Sequence, residues 1–177
     1  MIASDLHGSA YYTRQLLECM AWEQPEKLIL LGDLLYHGPR NDLPKEYDPK
    51  QVIQLLNSKA EKLVCVRGNC DTEVDQMVLD FPIMADYALL MLNGKLFFAT
   101  HGHHFDPLSP PPLASGSVVL AGHTHVPKAQ QYERFFYVNP GSVSIPKESS
   151  PHSYLILEEQ RLVWKDLDKT PYMEHSF

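Results

Sequence analysis

The chain has 177 residues, 44% of them hydrophobic, which is enough for one well-filled core, so a single domain over residues 1–177 is expected. Its 15 basic and 22 acidic side chains give a net charge of −7 with no Lys/Arg-rich run, which argues against a long nucleic acid as the partner. No apolar stretch nears the roughly 20 residues that cross a bilayer. The start M-I-A-S-D lacks the basic and apolar regions of a secretory signal, and Cys19, Cys65 and Cys70 suggest no disulfide framework. A cytoplasmic protein without a membrane partner is the expectation.

Residues 2–3 read as the remnant of a strand. Residues 10–22 place Thr13, Leu16, Leu17, Met20 and Ala21 at helical spacing. The near-continuous apolar run at 27–31 suits a strand buried on both faces. Asp48 and Pro49 then open a second helix as N-cap and first residue, with Val52, Ile53 and Leu56 on its apolar face. Residues 62–66 form a third buried strand and 72–79 a short helix. Strands alternating with helices imply right-handed crossovers and a parallel core.

Beyond Phe81-Pro82 the pattern changes to strands and turns. Residues 87–92 and 95–99 flank Asn93-Gly94, a strong hairpin signal. Segments 117–121, 135–138, 153–157 and 162–167 are further strands. Parallel strands first and antiparallel strands later predict two sheets packed face to face, with helices outside. The prolines of D-P-L-S-P-P-P (106–112) favour a rigid extended connector over a P-x-x-P ligand. Residues 169–177 show no site and read as a frayed tail or a packing extension.

Seven side chains that can bind metal lie in five short clusters. They are Asp5 and His7 in S-D-L-H-G, Asp33 in L-L-G-D, Asn69 in R-G-N-C-D, His101 in T-H-G-H, and His123 and His125 in G-H-T-H. Most follow an apolar run, at the C-terminal end of a strand, where open α/β sheets place ligands. In an extended segment, D-x-H and H-x-H put both side chains on one face, so each pair can serve one site. A carboxylate such as Asp33 has two oxygens and can bridge two cations, and the Asn69 amide oxygen can ligate without adding charge. Arg67 and Arg40 are candidates for holding a phosphate. His103 and His104 are weaker candidates, outside the ligand set. Two divalent cations bring four positive charges and Asp5 and Asp33 return two, so the site stays positive despite the acidic total.

The ordered set D-x-H, G-D, G-N-x-D, H and G-H-x-H, over residues 4–142, resembles the calcineurin-like metallophosphoesterase superfamily. H-G-P-R-N (37–41), R-G-N-C-D (67–71), E-V-D-Q-M (73–77) and N-P-G-S-V-S-I-P-K (139–147) resemble its YfcE-like subgroup of small bacterial phosphodiesterases. The resemblance implies an α/β fold, a four-layer αββα sandwich of two mixed β-sheets flanked by helices. It implies one metal on Asp5, His7, Asp33 and His125, and a second on Asp33, Asn69, His101 and His123. Mixed nitrogen and oxygen ligands suit Mn, Fe, Ni or Zn, and the resemblance favours Mn²⁺. Only four residues precede Asp5, so the first strand is expected to be short for the family and the first metal site weaker for it.

The implied reaction is hydrolysis of a small phosphodiester by a hydroxide that bridges the two cations. Arg40, Arg67, Asn69 and His101 would help to place the phosphate or neutralise its charge. Many family members have His after the G-N asparagine; this chain has Cys70, a weak proton donor. That departure implies a preference for diesters with good leaving groups over alkyl monoesters. Two alternatives remain on the same fold: a protein-binding scaffold of the retromer-subunit kind, or a phosphomonoesterase or protein phosphatase. A homo-oligomer is compatible with the sequence.

Overall fold

The computed structural model describes all residues 1–177. Strands β1 (Ile2–Ala3), β2 (Leu28–Leu30) and β3 (Leu63–Cys65) pair in parallel through the crossover helices α1 (Ala10–Glu23) and α2 (Pro49–Asn57). The caps are those the side chains favour. The Ser9 hydroxyl accepts the Tyr12 N–H (3.2 Å), and the Asp48 carboxylate accepts that of Gln51 (3.1 Å). The short helix α3 (Glu73–Gln76) starts on a reciprocal capping box between Thr72 and Asp75.

The hairpin of β4 (Tyr87–Leu92) and β5 (Lys95–Thr100) turns at Asn93-Gly94, both with positive φ (50° and 78°). With β6 (Ser117–Leu120), β7 (Lys128–Gln131) and β8 (Phe135–Asn139) it forms a second sheet in the order β4-β5-β6-β8-β7. The chain then returns to the first sheet through β9 (Ser153–Glu158), β10 (Arg161–Asp166) and β11 (Pro171–Ser176), giving the order β11-β10-β9-β1-β2-β3. Both sheets are therefore mixed; the parallel and antiparallel strands are not segregated as their sequence order suggests. The C-terminal stretch is not frayed: β11 pairs with β10 along its length. β7, whose K-A-Q-Q lacks apolar alternation, is an edge strand that the sequence pattern does not announce.

Side-chain alternation sets the layers. Leu28 and Leu30 pack with Leu16 and Met20 of α1 and Val52 and Leu56 of α2. Ile29 and Leu31 face the other way, onto Phe97, Val118 and Phe136 of the second sheet. Each such buried side chain contributes about 1.5–3 kcal/mol by leaving water. Trp164 lies in this inter-sheet core, fully buried, and its indole N–H donates to Asn139 O (2.7 Å). The αββα order is met with one difference, in its last layer. No helix follows α3, so the outer face of the second sheet is covered by irregular chain, with Phe105 edge-on to Phe98 (5.3 Å between centroids) and Leu113 against the Val119–Phe135 cluster. The proline-rich connector belongs to this covering segment.

Candidate metal centre

The C-terminal ends of β1, β2, β3, β5 and β6 open on one edge of the sandwich. Parallel pairing of β1 with β2 continues past the strands, because Asp5, His7 and Gly8 donate backbone N–H groups to Gly32, Asp33 and Leu34 (2.9–3.1 Å). The loop after β3 joins them through Asp71. Its buried carboxylate accepts the backbone N–H groups of Asp33, Leu34 and Gly68 (2.7–2.9 Å). Gly68 is needed there, since any Cβ would meet the Asp33 carboxylate.

Five candidate ligands adopt left-handed backbone conformations: Asp5 (φ 60°), His7 (45°), Asp33 (56°), His123 (66°) and His125 (61°). This corrects the expectation for D-x-H and H-x-H. Their side chains converge through left-handed turns, not through strand alternation. Such conformations cost roughly 1–3 kcal/mol each outside glycine and gather at functional sites.

All seven predicted ligands meet in one cluster. Asp5, His7 and His125 form one group, and Asp5, Asp33 and His101 another; each offers ligand atoms within 4.8 Å of one another. Asn69 Oδ1 and His123 Nδ1 join through His101 Nε2, at 3.0 and 3.3 Å. Asp33 Oδ2 lies 3.7 Å from His7 Nε2 and 3.5 Å from His101 Nε2, between the two halves. The two-residue β1 is short, as expected, yet Asp5 is fully buried among its partners.

The donor set fits cations. His7, His101 and His125 each donate Nδ1–H to a carbonyl, of Tyr36, Leu31 and Ile145 (2.6–2.8 Å), which leaves Nε2 to face inward. Yet His7 Nε2 and His125 Nε2 stand only 3.3 Å apart, and the buried Asp5 Oδ1 has no hydrogen-bond partner. Lone pairs crowded in this way need a positive group among them. Without an ion, protons serve. Burial works to lower His101, but its hydrogen bond to Asp33 and the charges of Asp5 and Asp33 raise it to about 9. His7 is also raised, against burial, by Asp5. Burial works to raise Asp5, but His125 and His7 hold it well below the usual carboxylate range.

A cavity of about 340 Å³ opens above the cluster, lined by His7, Asp33, Asn69, Cys70, His123 and His125 and by Arg40 from the 37–41 loop. Cys70 N–H donates to Asp33 Oδ1 (2.8 Å); burial and the nearby carboxylates push its thiol far above the ordinary range, so it stays neutral. Arg67 is not among the lining residues, and its half-buried side chain leaves Nε without a partner, so a phosphate role for it gains no support from its placement. His103 stacks edgewise on His101 (5.4 Å) and is held neutral, lowered to about 4 by burial and by the His101 charge.

Several supporting residues carry no signal of their own in the sequence. Ser142 and Ser144 both donate hydroxyl hydrogens to Asp5 O (3.0 and 2.9 Å), and Asn139 Nδ2 donates to Gly122 O (2.7 Å) just before His123. Asp71 completes the set. Their common task is to satisfy loop backbone, which only coordinates reveal; in the sequence they appear only within the strings R-G-N-C-D and N-P-G-S-V-S-I-P-K.

Residues 1–161 match the model of the calcineurin-like phosphoesterase superfamily domain. The chain is 49% identical over 162 residues to the phosphodiesterase YfcE of Escherichia coli (strain K12), covering 92% of this chain and 88% of that protein. The solved structure of YfcE, a phosphoesterase from E. coli, superposes with a TM-score of 0.96 at 46% identity, over 99% of this chain and 97% of the other. Vacuolar protein sorting 29 from Cryptosporidium parvum shares the fold alone, with a TM-score of 0.64 at 16% identity over 99% and 96% of the chains. Membership of this family implies divalent metal ions at a site of the kind described. The chain belongs to the calcineurin-like phosphoesterase superfamily and is a hydrolase of phosphate esters.

Proposed function

We propose that this protein hydrolyses small phosphodiesters with two divalent cations, Mn²⁺ by preference. Asp5, His7, Asp33 and His125 would hold one, and Asp33, Asn69, His101 and His123 the other. When bound, the pair supplies Lewis acidity, which makes water nucleophilic at neutral pH and offsets charge developing on the phosphoryl group. The observation that carries this reading is the crowding of inward-facing imidazole nitrogens around two buried carboxylates, His125 and His7 at Asp5 Oδ1 (3.3 and 3.7 Å) and His101 and His7 at Asp33 Oδ2 (3.5 and 3.7 Å).

The chain's own groups complete the chemistry. Asn69 turns its amide oxygen inward because its Nδ2 donates to Cys70 Sγ (3.3 Å). Arg40 at the cavity brings a permanent positive charge to the phosphate. Cys70 puts a thiol in the lining, a weak proton donor that cannot replace an imidazole, so leaving groups must depart largely unaided. That favours diesters with acidic alcohols. The relative's name, phosphodiesterase, supports the same choice. A scaffold role draws no support here, since all seven ligand positions are filled and directed inward.

The test is metal content and turnover. Protein loaded with Mn²⁺ should carry two ions per chain and hydrolyse bis(4-nitrophenyl) phosphate faster than 4-nitrophenyl phosphate. Chelator-stripped protein should be inactive until reloaded. Full activity in the stripped protein, or no metal uptake, would refute the proposal.

A further inference from the structure

Arg40 and Lys147 reach the same cavity from turns far apart in the chain. Arg40 sits in the 37–41 turn, which Asn41 closes by donating its Nδ2–H to His37 O (2.8 Å). Lys147 is tied to the candidate ligands, since its backbone N–H donates to His125 O (3.2 Å). The chain then reverses through Glu148 and Ser149, both left-handed (φ 55° and 57°). Ser150 secures the reversal, donating its N–H (3.0 Å) and hydroxyl (2.6 Å) to Lys147 O. Two successive non-glycine residues in this region cost roughly 1–2 kcal/mol each, so the turn is a defined element that sets Lys147 at the cavity mouth.

The charges there exceed what a simple diester needs. Two divalent cations against Asp5, Asp33 and an attacking hydroxide would leave one positive charge, and Arg40 and Lys147 add two more. A diester phosphate carries one negative charge. The lining offers a single carboxylate, Asp33, one hydrophobic residue, Cys70, and no Phe, Tyr or Trp on which a nucleobase could stack. Its volume, about 340 Å³, lies at the small end of ligand cavities, roughly 300–1,000 Å³.

We propose that Lys147 recognises a second anionic group on one arm of the substrate, while Arg40 serves the reacting phosphate. The substrate class is then a small, non-aromatic phosphodiester with a carboxylate or phosphate on one alcohol. This inference rests on the phosphodiesterase function proposed above. Lys147 is a specificity residue that touches the arm, away from the reacting phosphorus.

Two probes with the same leaving group test it: methyl 4-nitrophenyl phosphate and 2-carboxyethyl 4-nitrophenyl phosphate, with Mn²⁺-loaded protein. The wild type should favour the carboxyethyl ester by about tenfold in kcat/KM, as one charge-assisted contact allows. Lys147→Ala should bring the two rates together, mainly through KM, and Lys147→Arg should restore the preference. Calorimetric binding of methyl and 2-carboxyethyl methylphosphonate, which lack the leaving group, should show the same ordering. A preference that survives Lys147→Ala, or none in the wild type while both esters are cleaved, overturns the assignment alone. Failure to cleave either ester overturns the functional proposal and this one with it.

Discussion

Asp33 stands where the two halves of the ligand cluster meet, with Oδ2 facing His7 and His101 and Oδ1 accepting the Cys70 N–H. Asparagine in its place keeps an oxygen for Cys70 but removes the charge and turns an N–H₂ toward one cation or the other. Asp33→Asn should therefore fold normally and lose turnover by about 100-fold or more, with less than two ions bound per chain. Retention of most of the activity would remove the bridging role. Cys70 poses the opposite question, because its thiol lines the cavity but is a weak proton donor. Cys70→His introduces a donor of ordinary acidity at that point. The ratio of monoesterase to diesterase turnover should rise severalfold; an unchanged ratio would show that proton donation at this position does not limit the reaction.

The turns that carry these side chains are held mainly by groups outside the ligand set. The Asp5 carbonyl accepts the hydroxyls of Ser142 and Ser144 and the Ser144 N–H (3.3 Å), and Asp5 itself has positive φ. Replacing both serines by alanine removes three hydrogen bonds, including the one Ser142 Oγ accepts from Ile145 N–H, about 1.5–4 kcal/mol in all, and frees a strained residue to relax. Metal affinity should fall by about 10–100-fold, far more than the modest drop in melting temperature suggests. Equal affinity in the double variant would mean that Asp5 needs no such clamp. Here the limits of sequence reasoning are physical. Asp48 announces its helix because a cap depends on near neighbours, and Asn93-Gly94 announces its hairpin for the same reason; the caps at Ser9 and Thr72 emerge from the structure. The ligand positions were legible from their order along the chain. Their left-handed geometry was not, because Asp and His at positive φ are imposed by long-range contacts such as Ser144 with Asp5. β11 was missed because Tyr172, Glu174 and Ser176 alternate with Met173 and His175 after a proline, with no apolar run to mark a strand.

The cluster also joins the two sheets. Asp5, His7, Asp33 and Asn69 extend from the first sheet, and His101, His123 and His125 from the second; His101 Nδ1–H donates across to Leu31 O (2.7 Å) and His123 N–H to Asp5 Oδ2 (3.2 Å). Bound cations should therefore stabilise the whole fold, by an amount that depends on pH. In the metal-free protein His101, raised from 6.5 to about 9, contributes stability below pH 6.5 that is lost as pH rises toward 9. Asp5 and Asp33, both held below 3.8, contribute stability above that value that is lost in acid. These three groups together favour the metal-free fold most between about pH 4 and 6.5, whereas His103, His123, His152 and His175, all lowered by burial, oppose it as pH falls below 6.5. Cations held as proposed would replace the protons on His7 and His101, so Mn²⁺ binding near pH 7.5 should release protons, measurable by calorimetry in buffers of different ionisation enthalpy. The gain in melting temperature on adding Mn²⁺ should be larger at pH 8 than at pH 6, since the protons that compete with the ions for His7 and His101 are withdrawn. A gain that shrinks with rising pH, or binding without proton release, would mean that these histidines do not receive the ions.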